Sequence, residues 1–355
     1  KNLLRGSYVG GIVGYGDHSY IRDCATQADG YILGGRYVGG IAGGLAGATQ
    51  ESIQHQTVSV TANASYVIGN DYVGGIVGEN TGNSSIENCV NTGGVAGYGK
   101  YIGGICGTNI RSGSGVPTVK NCASYVSDTD NSIYQKVLSW KAVGSCAGGL
   151  VGFNSGDIIF NDEENNITTR SVSGIVVGQD YVGGLVGFND ESGKIQVSYT
   201  LLGGQVAASG DCVGGLIGLN AAEQVLTEAL TIQPGRVRGG YYVGGAIGAN
   251  VVKLSGDRTV DSMVVKNQLG TVSGQAFTGG LIGYHRTYAD GQLDGMTMEE
   301  YLAAQKDKLL PAIEPGTNIP NTAGLCKTEN PYVLTVTQKD STAAINDMGL
   351  RGYAY

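Results

Sequence analysis

Residues able to do chemistry are few in this chain and stand apart from one another. The three histidines, His18, His55 and His285, lie in no H-E-x-x-H pattern, so the sequence predicts no zincin-type metal centre. Its glycine-rich phrases never end in G-K-[ST], and no G-x-S-x-G stretch occurs, so neither a phosphate-binding P-loop nor a nucleophile elbow is indicated.

Acidic residues do not form a catalytic pattern either. Glycan-cleaving enzymes require paired carboxylates beside the scissile bond, whereas Asp157, Asp162 and Arg170 are spread through variable segments. The run Asp162, Glu163 and Glu164 suits ordinary solvation better than a weak Ca²⁺ site. We therefore expect a chain that is not an enzyme, with no catalytic residue, no metal ligand and no cofactor.

The seven cysteines do not suggest a disulfide framework, because their number is odd and their spacing shows no closed pattern. Neither C-x-x-C nor a Cys/His cluster occurs, so we do not expect zinc. Three cysteines follow an Ile or Val by three residues, and we expect them to behave as small buried apolar side chains. These three are Cys24, Cys89 and Cys122.

Composition limits the function classes further. Glycine accounts for 62 of 355 residues, more than twice the usual share of roughly 7%, but without the Gly-X-Y period of collagen. The formal net charge is −8, with no Lys/Arg clusters, which speaks against nucleic acid or an anionic membrane as a partner. No run of 18 apolar residues occurs, so no membrane span is expected.

One phrase recurs nine times and dominates the sequence. Its first glycines are 29 to 45 residues apart, so one structural unit per repeat with spacers of variable length is expected. The phrases are YVGGIVG at Tyr8, YVGGIAG at Tyr37, YVGGIVG at Tyr72, YIGGICG at Tyr101, CAGGLVG at Cys146, YVGGLVG at Tyr181, CVGGLIG at Cys212, YVGGAIG at Tyr242 and FTGGLIG at Phe277.

Two columns of the aligned repeats are candidate structural ladders. The first residue of the phrase is expected to stack along one edge, and its tyrosines are Tyr8, Tyr37, Tyr72, Tyr101, Tyr181 and Tyr242. The second column lies two residues after the last glycine of the phrase, and its members are Asn80, Asn109, Asn154, Asn189, Asn220 and Asn250. Stacked amides in such a column can hydrogen-bond from one repeat to the next.

Short Val/Ile/Tyr segments separated by Gly, Asn and Ser favour strands of four to seven residues over helices. A unit of this size fits one coil of a parallel β-solenoid, an all-β fold, with about nine coils and a right-handed coil as the preferred hand. We expect the glycine pairs to leave room for close backbone approach at a corner of the coil and to allow positive φ there, and the asparagines to tolerate the left-handed conformation. Gln56 and Ser198 are expected to replace cysteine in two repeats.

The repeat resembles the GLUG motif, most closely at Tyr181–Asn189 and Ile86–Cys89. GLUG repeats occur in large bacterial surface proteins, including adhesin-like proteins and non-catalytic parts of IgA-specific metallopeptidases. The resemblance implies a bacterial extracellular or cell-surface setting and a structural or adhesive role, and it carries over no catalytic residue.

Two regions are expected, a solenoid over residues 1–285 and a second region over residues 286–355. Thr297 and Glu300 form a capping box ahead of a predicted helix from Met298 to Leu310, and Tyr332–Thr337 is a predicted strand. This region is expected to cap the solenoid or to begin another domain. Because a repeat phrase begins almost at residue 1, we expect the chain to be a piece of a longer protein.

The longest spacer carries the candidate binding residues Tyr125, Tyr134 and Trp140, which are aromatic and stand among polar neighbours. Packing of Trp140 against its own coil is the alternative for that residue. The expected partners are a surface glycan or protein, or other copies in a fibre.

We therefore expect a non-catalytic extracellular segment that acts as a rigid stalk, a binding scaffold or a fibre-forming subunit. The alternative is the scaffold of a glycan-active or peptidase surface enzyme whose active centre lies outside this chain.

Overall fold

The computed structural model is an all-β parallel solenoid with one short helix, as the repeat predicts. Three faces, named here the first, second and third face, follow one another around each coil. The structure describes residues 6–47, 56–124, 136–139, 146–160, 170–197, 200–222, 225–253, 263–267, 271–280, 282–288, 293, 295–309 and 336–337.

The first face contains the beginning of every phrase, in strands that pair in parallel along the stack with like residues in register. Its strands are Ser7–Gly10, Arg36–Gly39, Asp71–Gly74, Ile102–Gly103, Ala147–Gly148, Val182–Gly183, Val213–Gly214, Tyr241–Gly244 and Ala276–Gly279.

The second face contains the end of every phrase and is also parallel. Its strands are Val13–Asp17, Ala42–Ala46, Val77–Thr81, Cys106–Ile110, Val151–Asn154, Val186–Asn189, Ile217–Asn220, Ile247–Lys253 and Ile282–Tyr288.

The third face contains the spacers, whose unequal lengths make this sheet less regular than the other two. Its strands are Tyr20–Arg22, Tyr31–Leu33, Gln56–Ser59, Ala62–Asn63, Tyr66–Gly69, Ser84–Glu87, Val90–Asn91, Val95–Gly97, Thr118–Lys120, Ala123–Ser124, Lys136–Ser139, Asp157–Phe160, Arg170–Gly178, Lys194–Val197, Thr200–Ala208, Val225–Arg238, Met263–Asn267, Thr271–Ser273 and Val336–Thr337.

The stack contains fewer complete coils than the nine predicted. Nine strands stand on each of the first two faces, but behind the ninth phrase the described third face consists only of Val336–Thr337, paired with Met263–Asn267. The reason is that the chain leaves the stack after Tyr288 and forms the helix α1, Met298–Leu309.

Aliphatic columns fill the interior. Valines such as Val38, Val73 and Val182 pack between the first and third faces, and a second column that includes Ile76 and Leu150 packs between the second and third faces, all fully buried. Each such side chain contributes about 1.5–3 kcal/mol when it leaves water. No Asp, Glu, Lys or Arg is buried among the described residues, so the core depends on apolar burial and on neutral polar groups.

The glycine pairs provide the expected close backbone approach, but the positive φ that they would allow is not found at the described pairs. A Cβ on Gly103 would lie 1.9 Å from the carbonyl oxygen of Cys106 within the same corner. The second glycine is equally confined, because a Cβ on Gly40 would lie 2.0 Å from the carbonyl oxygen of Gly75 in the next coil. The left-handed residue is instead the one that opens the phrase, with φ of 55° at Tyr37 and 57° at Tyr72.

The ladder asparagines are not left-handed either. The asparagines with positive φ are Asn88 and Asn121, at 54° and 52°, each directly before a cysteine at a corner of the third face. Asn is among the residues that tolerate this conformation best. Asparagine therefore does occupy a left-handed corner of this fold, but in another column than the predicted one.

Helix α1 begins with the predicted capping box. The amide of Thr297 donates to Glu300 Oε2 at 2.9 Å, and the amide of Glu300 donates to Thr297 Oγ1 at 3.2 Å. The predicted strand Tyr332–Thr337 is described only at Val336–Thr337, and all other residues from 310 to 355 lie outside the described residues. No helix in the described part of the chain is long and apolar enough to cross a bilayer.

Candidate functional site

The predicted binding residues of the longest spacer, Tyr125, Tyr134 and Trp140, lie outside the described residues. Asp162, Glu163 and Glu164 do so as well. Asp157 is described, and its carboxylate lies 3.3 Å from Arg111 Nη2 of the preceding coil. No group of three or more His, Cys, Asp or Glu within the described ranges is arranged to hold a metal ion.

The six predicted asparagines form one continuous hydrogen-bonded column at the corner between the second and third faces. In each step the Nδ2 of one asparagine donates to the Oδ1 of the asparagine in the next coil, at 2.7 to 2.9 Å. All six side chains are at most 2% exposed. We call this column the asparagine ladder: Asn80, Asn109, Asn154, Asn189, Asn220 and Asn250.

The ladder has two different ends. At its last step Asn250 Nδ2 lies 2.9 Å from Nδ1 of the buried His285, which takes the asparagine position in the ninth phrase. At its first step Asn80 Oδ1 accepts a hydrogen bond from the hydroxyl of Ser84. One coil earlier the register position holds Leu45, which is also buried.

The asparagines also fix the chain where it turns between faces. Asn154 Nδ2 donates to the carbonyl oxygen of Gly156 at 3.1 Å, and Asn220 Nδ2 donates to that of Ala222 at 2.9 Å. Both amide hydrogens are thereby used, one along the stack and one across the turn. A buried polar group costs little when its hydrogen bonds are made, so the ladder holds coil to coil and face to face at once.

A second row of side chains runs along the outer corner between the first and second faces. Tyr8 stacks on Tyr37 with ring centroids 4.5 Å apart, Tyr37 on Tyr72 at 4.6 Å, and Tyr72 lies 5.2 Å from Tyr101. Such offset stacks contribute about 0.5–1.5 kcal/mol per pair beyond area burial. The complete row is Tyr8, Tyr37, Tyr72, Tyr101, Cys146, Tyr181, Cys212, Tyr242 and Phe277.

The rings of this row lie over an outward-facing column of the second face. A Cβ on Gly44 would lie 2.8 Å from the ring of Tyr8, and Tyr101 packs edge-on against Phe153 at 5.5 Å. This column was not recognised in the sequence. Its residues are Tyr15, Gly44, Glu79, Thr108, Phe153, Phe188, Leu219, Ala249 and Tyr284. The row and the column together are called the aromatic strip.

Helix α1 covers the strip from Cys146 onward. Tyr301 and Leu302 of α1 are 5% and 3% exposed within one apolar cluster with the strip. The hydroxyl of Tyr242 donates to the carbonyl oxygen of Leu302 at 2.7 Å, and the hydroxyls of Tyr284 and Tyr301 lie 3.1 Å apart. We call Cys146 to Phe277 and the residues beneath them the covered half.

Two replacements of tyrosine in the row coincide with α1. Cys146 and Cys212 belong to the same buried cluster as Tyr301 and Leu302, and a thiol fills much less volume than a phenol ring. The smaller side chains leave the space in which the helix packs. The sequence shows both cysteines in place of the tyrosine that opens the phrase. It does not show where helix α1 packs, so the reason for the two cysteines was not predictable.

The remaining half, from Tyr8 to Tyr101 with Tyr15, Gly44, Glu79 and Thr108, is here called the open half. At its border Tyr101 packs against the covered cluster, and Thr108 is fully buried. The Arg36 guanidinium lies over the rings of Tyr37 and Tyr72, 5.2 and 5.1 Å from their centroids. Burial raises the pKa of the Glu79 carboxyl, and the Arg36 charge opposes this only in part. Burial also raises the pKa of Tyr101 to about 12.

A cysteine column borders the third face, with one correction. Cys24, Thr61, Cys89 and Cys122 stand at equivalent register positions, so Thr61, and not Gln56, replaces cysteine in the second repeat. Ser198 lies outside the described residues. Burial raises the pKa of the Cys89 thiol, but hydrogen bonds from Cys122 and Thr61 outweigh burial and lower it. All described cysteines are free thiols.

In-register parallel strands, a buried amide ladder and a stacked aromatic row define a glycine-rich repeat solenoid. Residues 69–97, which span the third phrase and its spacer, match the family model of the GLUG motif. This match confirms the resemblance seen in the repeats.

Over 157 residues, 41% of its length, the chain is 32% identical to Halomucin of Haloquadratum walsbyi (strain DSM 16790 / HBSQ001). The chain spans only 2% of the length of Halomucin. No solved structure matches the chain significantly.

Proposed function

We propose that this chain is a non-catalytic structural segment of an extracellular surface protein, in which it acts as a rigid stalk. The observation that carries the proposal is the asparagine ladder, which links seven successive coils, counting His285, by buried hydrogen bonds of 2.7 to 2.9 Å. Support for the surface setting comes from the GLUG match and from the similarity to Halomucin, a surface-type protein.

A stalk must keep its length under load and withstand proteases. Neighbouring coils are held together by strands on three faces and by the aromatic strip outside, and from the third coil onward also by the ladder inside. Pulling along the axis must break these interactions between coils, and a nearest-neighbour stack resists as a series of such interfaces. Nine strands at roughly 4.8 Å give a rod of roughly 40 Å.

Single-molecule force spectroscopy tests the mechanical part. The whole chain is tethered at its two ends, and the wild type is compared with an Asn154→Leu variant that interrupts the ladder at its middle. A stalk should extend in steps of about one coil, with the first steps at lower force in the variant. Extension of the wild type at negligible force would refute the stalk.

Cell labelling tests the surface setting. Antibodies raised against the folded chain are applied to intact and to permeabilised cells of the producing organism. Labelling of intact cells that is lost after brief external proteolysis is expected. Labelling that requires permeabilisation would overturn the extracellular assignment and leave the mechanical result untouched.

A further inference from the structure

The aromatic strip is one continuous surface, and the described part of the chain covers only some of it. In the covered half Tyr181 and Tyr242 are 9% and 1% exposed. In the open half Tyr8, Tyr37 and Tyr72 are only half-buried, and Tyr15 is 49% exposed. The register and the backbone conformation are the same in both halves, with φ of 55° at Tyr37 and 53° at Tyr181, whereas Cys146 and Cys212 interrupt the rings only in the covered half.

Helix α1 shows how this surface binds protein. The phenol of Tyr242 points outward from the row and donates its hydroxyl hydrogen to a helix carbonyl, that of Leu302. Apolar side chains of the helix belong to one buried cluster with the rings, in which Leu302 is 3% exposed. The surface therefore selects a helix with an apolar stripe, because the rings supply both apolar area and hydroxyl donors at its edge.

The open half repeats this chemistry at a spacing that suits a helix. Tyr8, Tyr37 and Tyr72 are stacked with ring centroids 4.5 and 4.6 Å apart, and the ring of Tyr101 follows at 5.2 Å, tilted by 43°. An α-helix rises about 5.4 Å per turn, so a helix that lies along the row presents one turn to each ring. The ring faces are occupied by the stack itself and by Arg36 over Tyr37 and Tyr72, which makes the row a poor platform for sugar rings.

Charge adds a further requirement for the partner. Arg36 lies over Tyr37 and Tyr72, with its Nε 4.0 Å from a carboxylate oxygen of Asp71. Glu79 stands beneath the same rings, and within the described part of the chain its carboxylate is in no ion pair. A basic side chain on the partner would neutralise this carboxylate at the edge of the contact.

We propose that the open half of the aromatic strip is a docking site for an amphipathic α-helix of a partner protein that carries an apolar stripe and a basic side chain. The partner helix would lie along the same row toward Tyr8, over a run of rings that no cysteine interrupts. The inference concerns this surface alone and does not depend on the role of the chain as a stalk.

Two labelled peptides with the sequence of residues 296–309 serve as probes, one unchanged and one with Glu299→Lys to supply the basic side chain. Fluorescence anisotropy follows their binding to the full chain. Saturable binding is expected, at least threefold tighter for the Glu299→Lys peptide. A chain with Tyr37→Asn and Tyr72→Asn should bind at least tenfold more weakly, since Asn keeps the left-handed backbone while the ring is lost.

The matched control is Tyr20→Asn, which removes an exposed tyrosine on the third face and should leave binding unchanged. Amide hydrogen exchange verifies that each variant keeps its strands. Absence of saturable binding by either peptide would overturn the proposal, as would binding that the Tyr37 and Tyr72 changes do not weaken, because the peptide would then occupy the covered half. Titration with cello- and chitooligosaccharides completes the test. If these sugars bound in a manner that requires Tyr37 and the peptides did not bind, the ligand of this surface would be a glycan and the helix proposal would be overturned.

Discussion

Interruption of the asparagine ladder at Asn154 should destabilise the middle of the solenoid more than interruption at its first member. Asn154 accepts from Asn109 Nδ2 and donates to Asn189 Oδ1, both at 2.8 Å. In Asn154→Leu, both neighbours lose their partner in the ladder. In the matched variant Asn80→Leu, only Asn109 does so.

The expected size follows from the buried groups left without partners. Each costs about 1–3 kcal/mol, and the amide of Asn109 keeps only long contacts, 3.3 Å to the carbonyl oxygen of Pro117 and 3.4 Å to that of Asp157. Part of the loss is offset by the apolar area of leucine, which gives about 2–4 kcal/mol for Asn154→Leu and about 1–2 kcal/mol for Asn80→Leu. In Asn80→Leu, the new leucine stands next to Leu45, which already occupies this position in the preceding coil.

Hydrogen exchange read by mass spectrometry is the suitable assay, because a repeat stack responds mainly near the changed coil. At tenfold per 1.4 kcal/mol, amides of Cys106–Ile110, Val151–Asn154 and Val186–Asn189 should exchange about 30- to 700-fold faster in Asn154→Leu. In Asn80→Leu, the expected factor near its own coil is about 5 to 30. The strand Ser7–Gly10 serves as the internal control and should not change in Asn154→Leu.

Equal exchange in the wild type and Asn154→Leu would show that the amide ladder contributes no net stability. A larger effect of Asn80→Leu than of Asn154→Leu would refute the account by unpaired neighbours. Loss of protection in every strand at once would contradict nearest-neighbour behaviour and would mean that the stack unfolds as one unit.

Three further outcomes are expected. The hydroxyl of Thr108 is buried without a hydrogen-bond partner among the described residues, so Thr108→Val should raise the free energy of unfolding by about 1 kcal/mol in urea titrations. Gly103→Ala should prevent folding, since its Cβ would lie 1.9 Å from a carbonyl oxygen, whereas Gly6→Ala, whose Cβ meets only a valine methyl at 3.0 Å, should fold. Circular dichroism of the two variants checks this difference. Burial raises the pKa of Tyr101 to about 12 from 10.0, so the folded state favours the neutral phenol, and its stability should fall as pH rises from 10 to about 12. Thermal unfolding across that range should show a smaller decline in Tyr101→Phe.

The fold was predictable because every repeat carries the same information. Nine phrases aligned at their glycines fixed the parallel pairing, and the structure keeps that alignment on the first two faces, as in the pairing of Gly74 with Gly103. The spacers were less predictable, since their lengths vary and register there depends on packing. Thr61 replaces cysteine through such a shift, where Gln56 was expected.

The positions of the recurring residue types along the repeats were easier to predict than the physical role of each residue type. Glycine pairs suggested both close backbone approach and positive φ, and only the close approach is found, as at Gly103 beside the carbonyl of Cys106. The left-handed conformation falls on Tyr72, a residue type that pattern rules do not place there. Stacking over neighbouring rings compensates the strain, and this compensation exists only once the coils are assembled.

Exceptions to a repeat carry the information that the repeat itself lacks. Every regular position is explained by contact with its copies above and below, so a departure indicates contact with something else. Cys146 and Cys212 depart from the tyrosine row, and the structure places α1 against them. Glu79 departs in the same sense, as an acidic side chain in a column that otherwise holds small, apolar or hydroxylated residues. By the same reasoning its partner lies outside the stack, and a basic side chain that docks on the open half would be that partner.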